Sequence, residues 1–185
     1  QAVYDSLRRV TSDISGYREL VPGANYLAPP NPGKLNPLEA AGKLFDMAVS
    51  NPFTALVDVM VDSFNGISPL LAKSLLKESG ITANTCAAGI SAKQVTELSK
   101  KFEHYFEKLK LKKFEPVAYF KTDGTPKDFY IMPLAVYAEL PSKTYATINE
   151  TLDSFYNQKT EQAALDRLRQ FLKKSVMTRL NRAFN

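Results

Sequence analysis

From Ser142 to the C-terminus the chain contains neither glycine nor proline. Those residues are the strongest local breakers of regular structure, so nothing in this stretch interrupts a helix. The pattern turns helical from Thr144. Thr147, with Glu150 three residues on, supplies a start signal of the capping-box type. Leu152, Phe155, Tyr156, Leu165, Leu168, Leu172, Val176 and Leu180 are the apolar positions that follow. The spacing predicts a helix of about 35 residues with no stop signal. Its apolar stripe is too long to be covered by the rest of the chain. Residues 142–185 therefore read as the start of a coiled-coil arm whose partner helix belongs to a longer protein.

The preceding residues divide by period and punctuation. VYDSLRRV and the segment around Tyr17–Val21 have the look of short strands. VPGANYLAPPNPG then carries four of the eleven prolines and two of the eight glycines. Proline removes a backbone donor and biases its predecessor to extended conformations. Residues 1–35 are thus expected to be the end of a β-rich module and a Pro-rich crossing. Residues 36–113 read as a helical module. Asn36-Pro37 opens a helix ending near Ser50, and Asn51-Pro52 opens another with Asn51 as N-cap. Phe53, Leu56, Val57, Met60, Val61 and Phe64 give that second helix a core face. Ser68-Pro69 repeats the cap device, and Gly80 stops the helix it starts. Ser91 with Gln94 forms a capping box for a helix running to about Lys112. Residues 114–141 switch to aromatic and β-branched runs around Asp123-Gly124, a hairpin signal, with Pro133 placing the second strand at an edge or breaking it. The expected fold is α+β and mainly helical: a helix-hairpin-helix-like module, a β-hairpin and a long C-terminal helix.

Composition narrows the chemistry. A single cysteine, Cys86, excludes an internal disulfide framework, and a single histidine, His104, supplies neither a metal cluster nor a Ser/His/Asp or Cys/His set. There is no P-loop and no GxGxxG. Asp58 and Asp62 share a helix face without a third ligand and read as solvated. Cys86, among small residues, reads as a buried inert thiol, and His104 as a surface or half-buried helix residue. No cofactor, metal site or catalytic set is expected. No apolar run reaches the roughly 18 residues of a membrane span, and QAVYDSLRRV lacks the pattern of a signal peptide. Val3, Tyr4 and Leu7 resemble the middle of a structural element, as in a piece cut from a longer chain. The net charge of +5 permits an anionic partner.

Two constellations carry a binding hypothesis. In Asn65-Gly66-Ile67-Ser68-Pro69, Gly66 permits a tight turn, and the next helix presents its N-terminus, a natural seat for phosphate. Lys73 and Lys77 lie one and two turns on. Ser68 stands where a helix-hairpin-helix element usually has a second glycine, and Leu70, Leu71, Leu75 and Leu76 make the helix strongly apolar. The plainer reading is a packing joint. The second constellation is basic. Lys100, Lys101, Lys108, Lys110, Lys112 and Lys113 crowd one helix, with glutamates among them. Residues 158–185 hold seven basic side chains, Arg167, Lys173 and Lys174 among them, against two acidic ones. Such runs are usually solvated faces; the functional alternative is docking on RNA. The chain has no Trp and no obvious solvent-facing aromatic platform for base stacking.

The order of RELVPGANYLAPP, GKLNP, SFNGISPLLAKSLL, GTPKDFYIMPL and TINETLDSFYNQKTEQ resembles the NFACT family, also called fibronectin-binding protein A, with its RqcH-like ribosome quality-control factors. The resemblance covers essentially the whole chain. It implies the C-terminal part of the NFACT amino-terminal domain, similar in fold to formamidopyrimidine-DNA glycosylase, followed by the start of the coiled coil. It does not imply glycosylase chemistry, since function sits in sites rather than folds. The implied role is binding of obstructed large ribosomal subunits and of tRNA, with template-free alanine tailing by the full protein. The family's tRNA-contacting Asp-Arg motif lies in its first β module, which is not found among these residues, so the tailing activity is not expected of them alone. The expectation is a non-catalytic RNA-binding segment, cytoplasmic and ribosome-associated, using Asn65, Gly66, Ile67, Ser68, Lys73, Lys77, Arg167, Lys173 and Lys174. The family's other name raises the rival reading, a fibronectin-binding adhesin module exposed at the cell surface without a classical signal. A weaker third reading is a DNA-repair-like binding domain.

Overall fold

The computed structural model describes residues 1–29 and 33–184. Part of the expected Pro-rich crossing, residues 30–32, lies outside the described residues. The chain divides into two compact units, Gln1–Lys34 and a larger one from Leu35 onward.

The first unit is built from turns. Single antiparallel bridges join Ala2 to Asn25 and Val10 to Leu20, supported by Val3 N–H donating to Ala24 O at 2.9 Å and Leu20 N–H to Val10 O at 2.7 Å. The two expected strands therefore shrink to isolated bridges. Turns occupy the residues around 12–14 and 22–24, and Val3 is the buried apolar side chain of this unit. Tyr4, Leu7, Ile14, Tyr17, Tyr26 and Leu27 stay exposed, so little packing backs the bridges.

The second unit opens with α1 (Pro37–Ala40), a 3₁₀ turn (Ala41–Lys43) and α2 (Leu44–Ser50). Asn36 caps it as expected, its side chain accepting the Leu38 N–H. The expected single helix is broken at Gly42. A Cβ there would lie 3.3 Å from the Glu103 carboxylate, the end of an exposed side chain that has room to turn aside. Helix α3 (Leu56–Ser63) starts after Ala55, not at Asn51. Asn51 instead ends α2, its amide donating to Met47 O at 2.9 Å. Tertiary bonds override the local cap: Ala88 N–H donates to Pro52 O at 2.8 Å and Leu56 N–H to Thr85 O at 3.0 Å, which holds residues 51–55 in a turn. Phe53, expected in the core, is 86% exposed as a result.

Helix α4 (Pro69–Glu78) follows the expected pattern, with Ser68 Oγ accepting the Leu71 N–H at 3.2 Å. It ends in a Schellman turn: Gly80, at φ +69°, donates to Lys77 O, and Ile81 N–H reaches Leu76 O. Ser91 and Gln94 form the capping box of α5 (Ala92–Lys110). The spacing of Val95, Leu98, Phe102, Tyr105 and Phe106 turns one face of α5 into the core, where the tilted rings of Phe64, Phe102 and Phe106 meet at centroid distances of 5.0 and 4.8 Å.

The hairpin consists of β1 (Val117–Phe120) and β2 (Pro126–Tyr130), closed by a turn in which Gly124 has φ +81°. A third strand, β3 (Ser142–Thr144), pairs antiparallel with the other edge of β1, giving the order β2-β1-β3. These three residues, read as the first of the arm, belong to the sheet. Alternation along β1 gives the sheet two covered faces. Val117 and Tyr119 join the helical core, where Tyr119 Oη accepts the Leu134 N–H at 2.7 Å. Buried Ser74 of α4 accepts the Ala135 N–H at 2.7 Å, tying the same loop to the helices. Ala118, level with Phe129 and Lys143, faces the other way.

That second face receives α6 (Ile148–Phe184), 37 residues and about 55 Å long. Thr147 Oγ1 accepts the Glu150 N–H at its start. Thr151 and Phe155 are its buried residues, and Phe155 meets Phe129 at 5.0 Å. Past Phe155 the helix projects from its unit with its apolar side chains uncovered: Leu165 is 50% exposed, Leu172 52% and Val176 62%. The unit is thus α+β and mainly helical, with a small antiparallel sheet between a helical core and the root of a long arm.

Candidate functional site

The hairpin between α3 and α4 has the expected backbone. Phe64 leaves α3 in extended conformation, Asn65 N–H donates to Leu35 O at 2.8 Å, and Gly66 adopts φ +76°. A side chain at Gly66 would meet nothing within 4 Å, so the glycine is there for its dihedral and the turn is open on its outer side. Asn65 and Gly66 are exposed, Ile67 is buried as an anchor, and Lys73 and Lys77 are exposed on α4. The first turn of α4 has less to offer an anion than a bare helix end. Pro69 has no N–H, the Leu71 N–H goes to Ser68 Oγ, and the Ala72 N–H goes to Ser68 O at 3.0 Å.

Of the six lysines expected to crowd one helix, Lys112 and Lys113 lie past the end of α5 at Lys110, and three of the others are engaged. Lys100 pairs with Glu97 at 3.1 Å and Lys108 with Glu115 at 3.3 Å. Lys101 donates to the Glu78 carbonyl at the end of α4, where a cation also complements the helix dipole. These three lysines, His104 and Glu78 border a cleft of about 500 Å³ floored by Tyr105 and Met132. Burial raises the Glu78 carboxyl above the ordinary glutamate range, against the opposing pull of Lys101 and Lys108. Burial likewise pushes the Tyr105 hydroxyl well above the usual tyrosine range, reinforced by Tyr130. His104 is exposed. Cys86, expected to be buried, is half-buried, and its thiol donates to Phe53 O at 3.2 Å. Among the described residues no group of three or more His, Cys, Asp or Glu side chains is placed to hold a metal ion.

Arg167, Lys173 and Lys174 are all exposed on the projecting part of α6. Nearby Arg169 is paired with Asp166 at 3.4 Å. The structure does not bring the two candidate groups together. The hairpin belongs to the helical core on one face of β1, and the arm roots on the other.

One feature of the arm escaped the sequence reading. Tyr156 is 52% exposed and Phe171 67% exposed, so solvent-facing aromatic rings do exist. Lys159 lies over the rings at the root, its Nζ 5.7 Å from the Phe155 centroid and 6.0 Å from that of Tyr156. The signal was present in the periodicity, because Phe171 falls off the leucine stripe; past Phe155 the stripe is about as exposed as the rings, so angular position and not exposure sets these aromatics apart.

Among the described residues no helix is long and apolar enough to cross a membrane. The chain is 27% identical over 175 residues to Rqc2 homolog RqcH of Bacillus subtilis (strain 168), an alignment covering 95% of this chain and 28% of that protein. It thus spans little more than a quarter of that relative's length. The crystal structure of the fibrinogen binding protein from Staphylococcus aureus superposes with a TM-score of 0.59 at 21% identity, over 82% of this chain and 50% of that one. That likeness is one of fold. The family described as NFACT N-terminal and middle domains matches residues 1–185, the full length of the sequence, and the chain belongs to that family.

Proposed function

We propose that this chain is a non-catalytic RNA- and ribosome-binding segment of an NFACT protein acting in ribosome quality control. In this reading it helps the full protein engage obstructed large ribosomal subunits and tRNA in the cytoplasm, while alanine tailing is a property of the full protein. The observation that carries it is the arm. Past Phe155 no described residue of α6 is buried, and residues 158–185 hold seven basic side chains against two acidic ones. Similarity to Rqc2 homolog RqcH supports the ribosomal setting. The hairpin, with Lys73 and Lys77 exposed beside it, adds a second cationic surface.

Phosphate contacts position a protein without reading sequence, and they respond steeply to salt. The chain should bind structured RNA on the order of 10⁻⁴–10⁻⁶ M, without sequence preference. Co-sedimentation with purified large subunits should weaken sharply as salt rises. Replacing Arg167, Lys173 and Lys174 by Gln, or Lys73 and Lys77 by Gln, should weaken it further and flatten the salt slope. The same titration with fibronectin tests the adhesin alternative. Tight fibronectin binding that survives moderate salt, with no RNA or subunit binding at low salt, overturns the proposal.

A further inference from the structure

We infer that the back of the arm, the face turned away from its leucine stripe, is a stacking surface for unpaired RNA, a reading that rests on the RNA-binding role proposed above. Around a helix of 3.6 residues per turn, Tyr156, Arg167 and Lys174 fall within about 20° of one another, with Lys159 about 60° to one side and Phe171 about 60° to the other. The stripe of Leu165, Leu168, Leu172, Val176 and Leu180 is centred roughly 180° away. A partner helix seated on that stripe therefore leaves this face open. Along the axis the row runs roughly 27 Å from Tyr156 to Lys174.

Its composition is what sets it apart. Two exposed rings are interleaved with three cations in the order Tyr156, Lys159, Arg167, Phe171, Lys174. Tyr156 and Phe171 are 52% and 67% exposed. Tyr156 is held in place from behind by Phe155 at 5.4 Å and Phe129 at 5.9 Å, so the sheet positions it. Of the two acidic residues in 158–185, Glu161 lies toward the stripe side and Asp166 is engaged by Arg169 and Gln162. A helix face needed only for solubility does not require two large rings. Proteins that grip single strands without sequence preference combine a cationic track with rings on which bases stack. A duplex hides its base faces, so this surface should distinguish an unpaired strand from a paired one, which phosphate contact alone does not do.

The test uses the full chain with two probes, an unstructured oligoadenylate carrying 2-aminopurine and an RNA duplex of equal length. The oligoadenylate should bind more tightly than the duplex, and 2-aminopurine fluorescence should fall as the base stacks. Phe171→Ser should weaken oligoadenylate binding about fivefold or more, the effect of losing one stacked base, while leaving the duplex unchanged. Tyr156→Leu, which keeps an apolar contact to Phe129, should do the same. Arg167→Gln with Lys174→Gln should weaken both probes. Equal affinity for the two probes with both aromatic variants neutral overturns the stacking surface and leaves the phosphate-binding reading standing. No binding of either probe at low salt sinks both. Should Tyr156→Leu lower the melting temperature, Phe171→Ser decides alone, since Phe171 is mostly solvated.

Discussion

Gly66 shows how a single position separates two explanations that a sequence leaves joined. Glycine at a turn means either a left-handed dihedral or a close neighbour. Its φ of +76° and the empty space where a side chain would point assign it to the dihedral. Gly66→Val should therefore cost about 1–3 kcal/mol, because a β-branched residue resists that conformation. Gly66→Asn should recover most of the loss, since Asn tolerates the left-handed region. Thermal melts of the two variants check this, and equal losses would point to a steric cause. Glu78 offers a pH-dependent counterpart. Its raised pKa means the folded state keeps the proton to higher pH than the unfolded state does. Its contribution to stability then declines as pH rises from the ordinary 4.5 through the raised folded value. Glu78→Gln removes that decline, so in urea titrations the variant should gain on the parent between pH 4.5 and pH 7. A difference that does not change with pH would clear the carboxyl of responsibility.

At the scale of elements, the docking of α6 depends on a small residue. Ala118 is fully buried at the centre of the sheet face that Thr151 and Phe155 cover. Its size sets how closely the helix approaches. Ala118→Leu should force the helix away or strain the sheet, at about 1–3 kcal/mol. It should also quench slow hydrogen exchange in the first turns of α6 while sparing α5. Protection that persists in α6 would mean the root is held from elsewhere. The same scale explains where local signals failed. The Ser68-Pro69 and Ser91…Gln94 starts formed as their sequences dictate, because each cap satisfies its own helix. Asn51-Pro52 carried an equal local signal and lost, because backbone bonds to Thr85 and Ala88 claimed the residues around it. β3 was unreadable for a related reason: Ser142–Thr144 is exposed, polar and three residues long, and only the free edge of β1 makes it a strand.

For the whole molecule, the arm is an addition to the fold rather than a part of its core. Phe155 is the last buried residue of α6. Ending the chain after Gln162 should leave the melting temperature unchanged within about 2 °C, since surface changes away from packing are worth little, while weakening the salt-dependent RNA binding to what the hairpin lysines alone supply. A large drop in stability would show that the distal arm folds back on the body. The amino-acid sequence by itself determined the mainly helical α+β class, the capped starts of α4 and α5, the edge hairpin and the unbroken C-terminal helix. Each rests on chemistry within a few residues: a cap, a proline, a glycine dihedral, a period. Only the tertiary structure decided that the first helix breaks into a 3₁₀ turn at Ala41–Lys43, that Phe53 lies outside, that Ser142–Thr144 completes the sheet, and that the hairpin and the arm occupy opposite faces of β1. It likewise revealed that Tyr156 and Phe171 face solvent. These outcomes depend on which distant groups compete for the same backbone bonds and buried surface, and that competition is resolved only when the chain closes on itself.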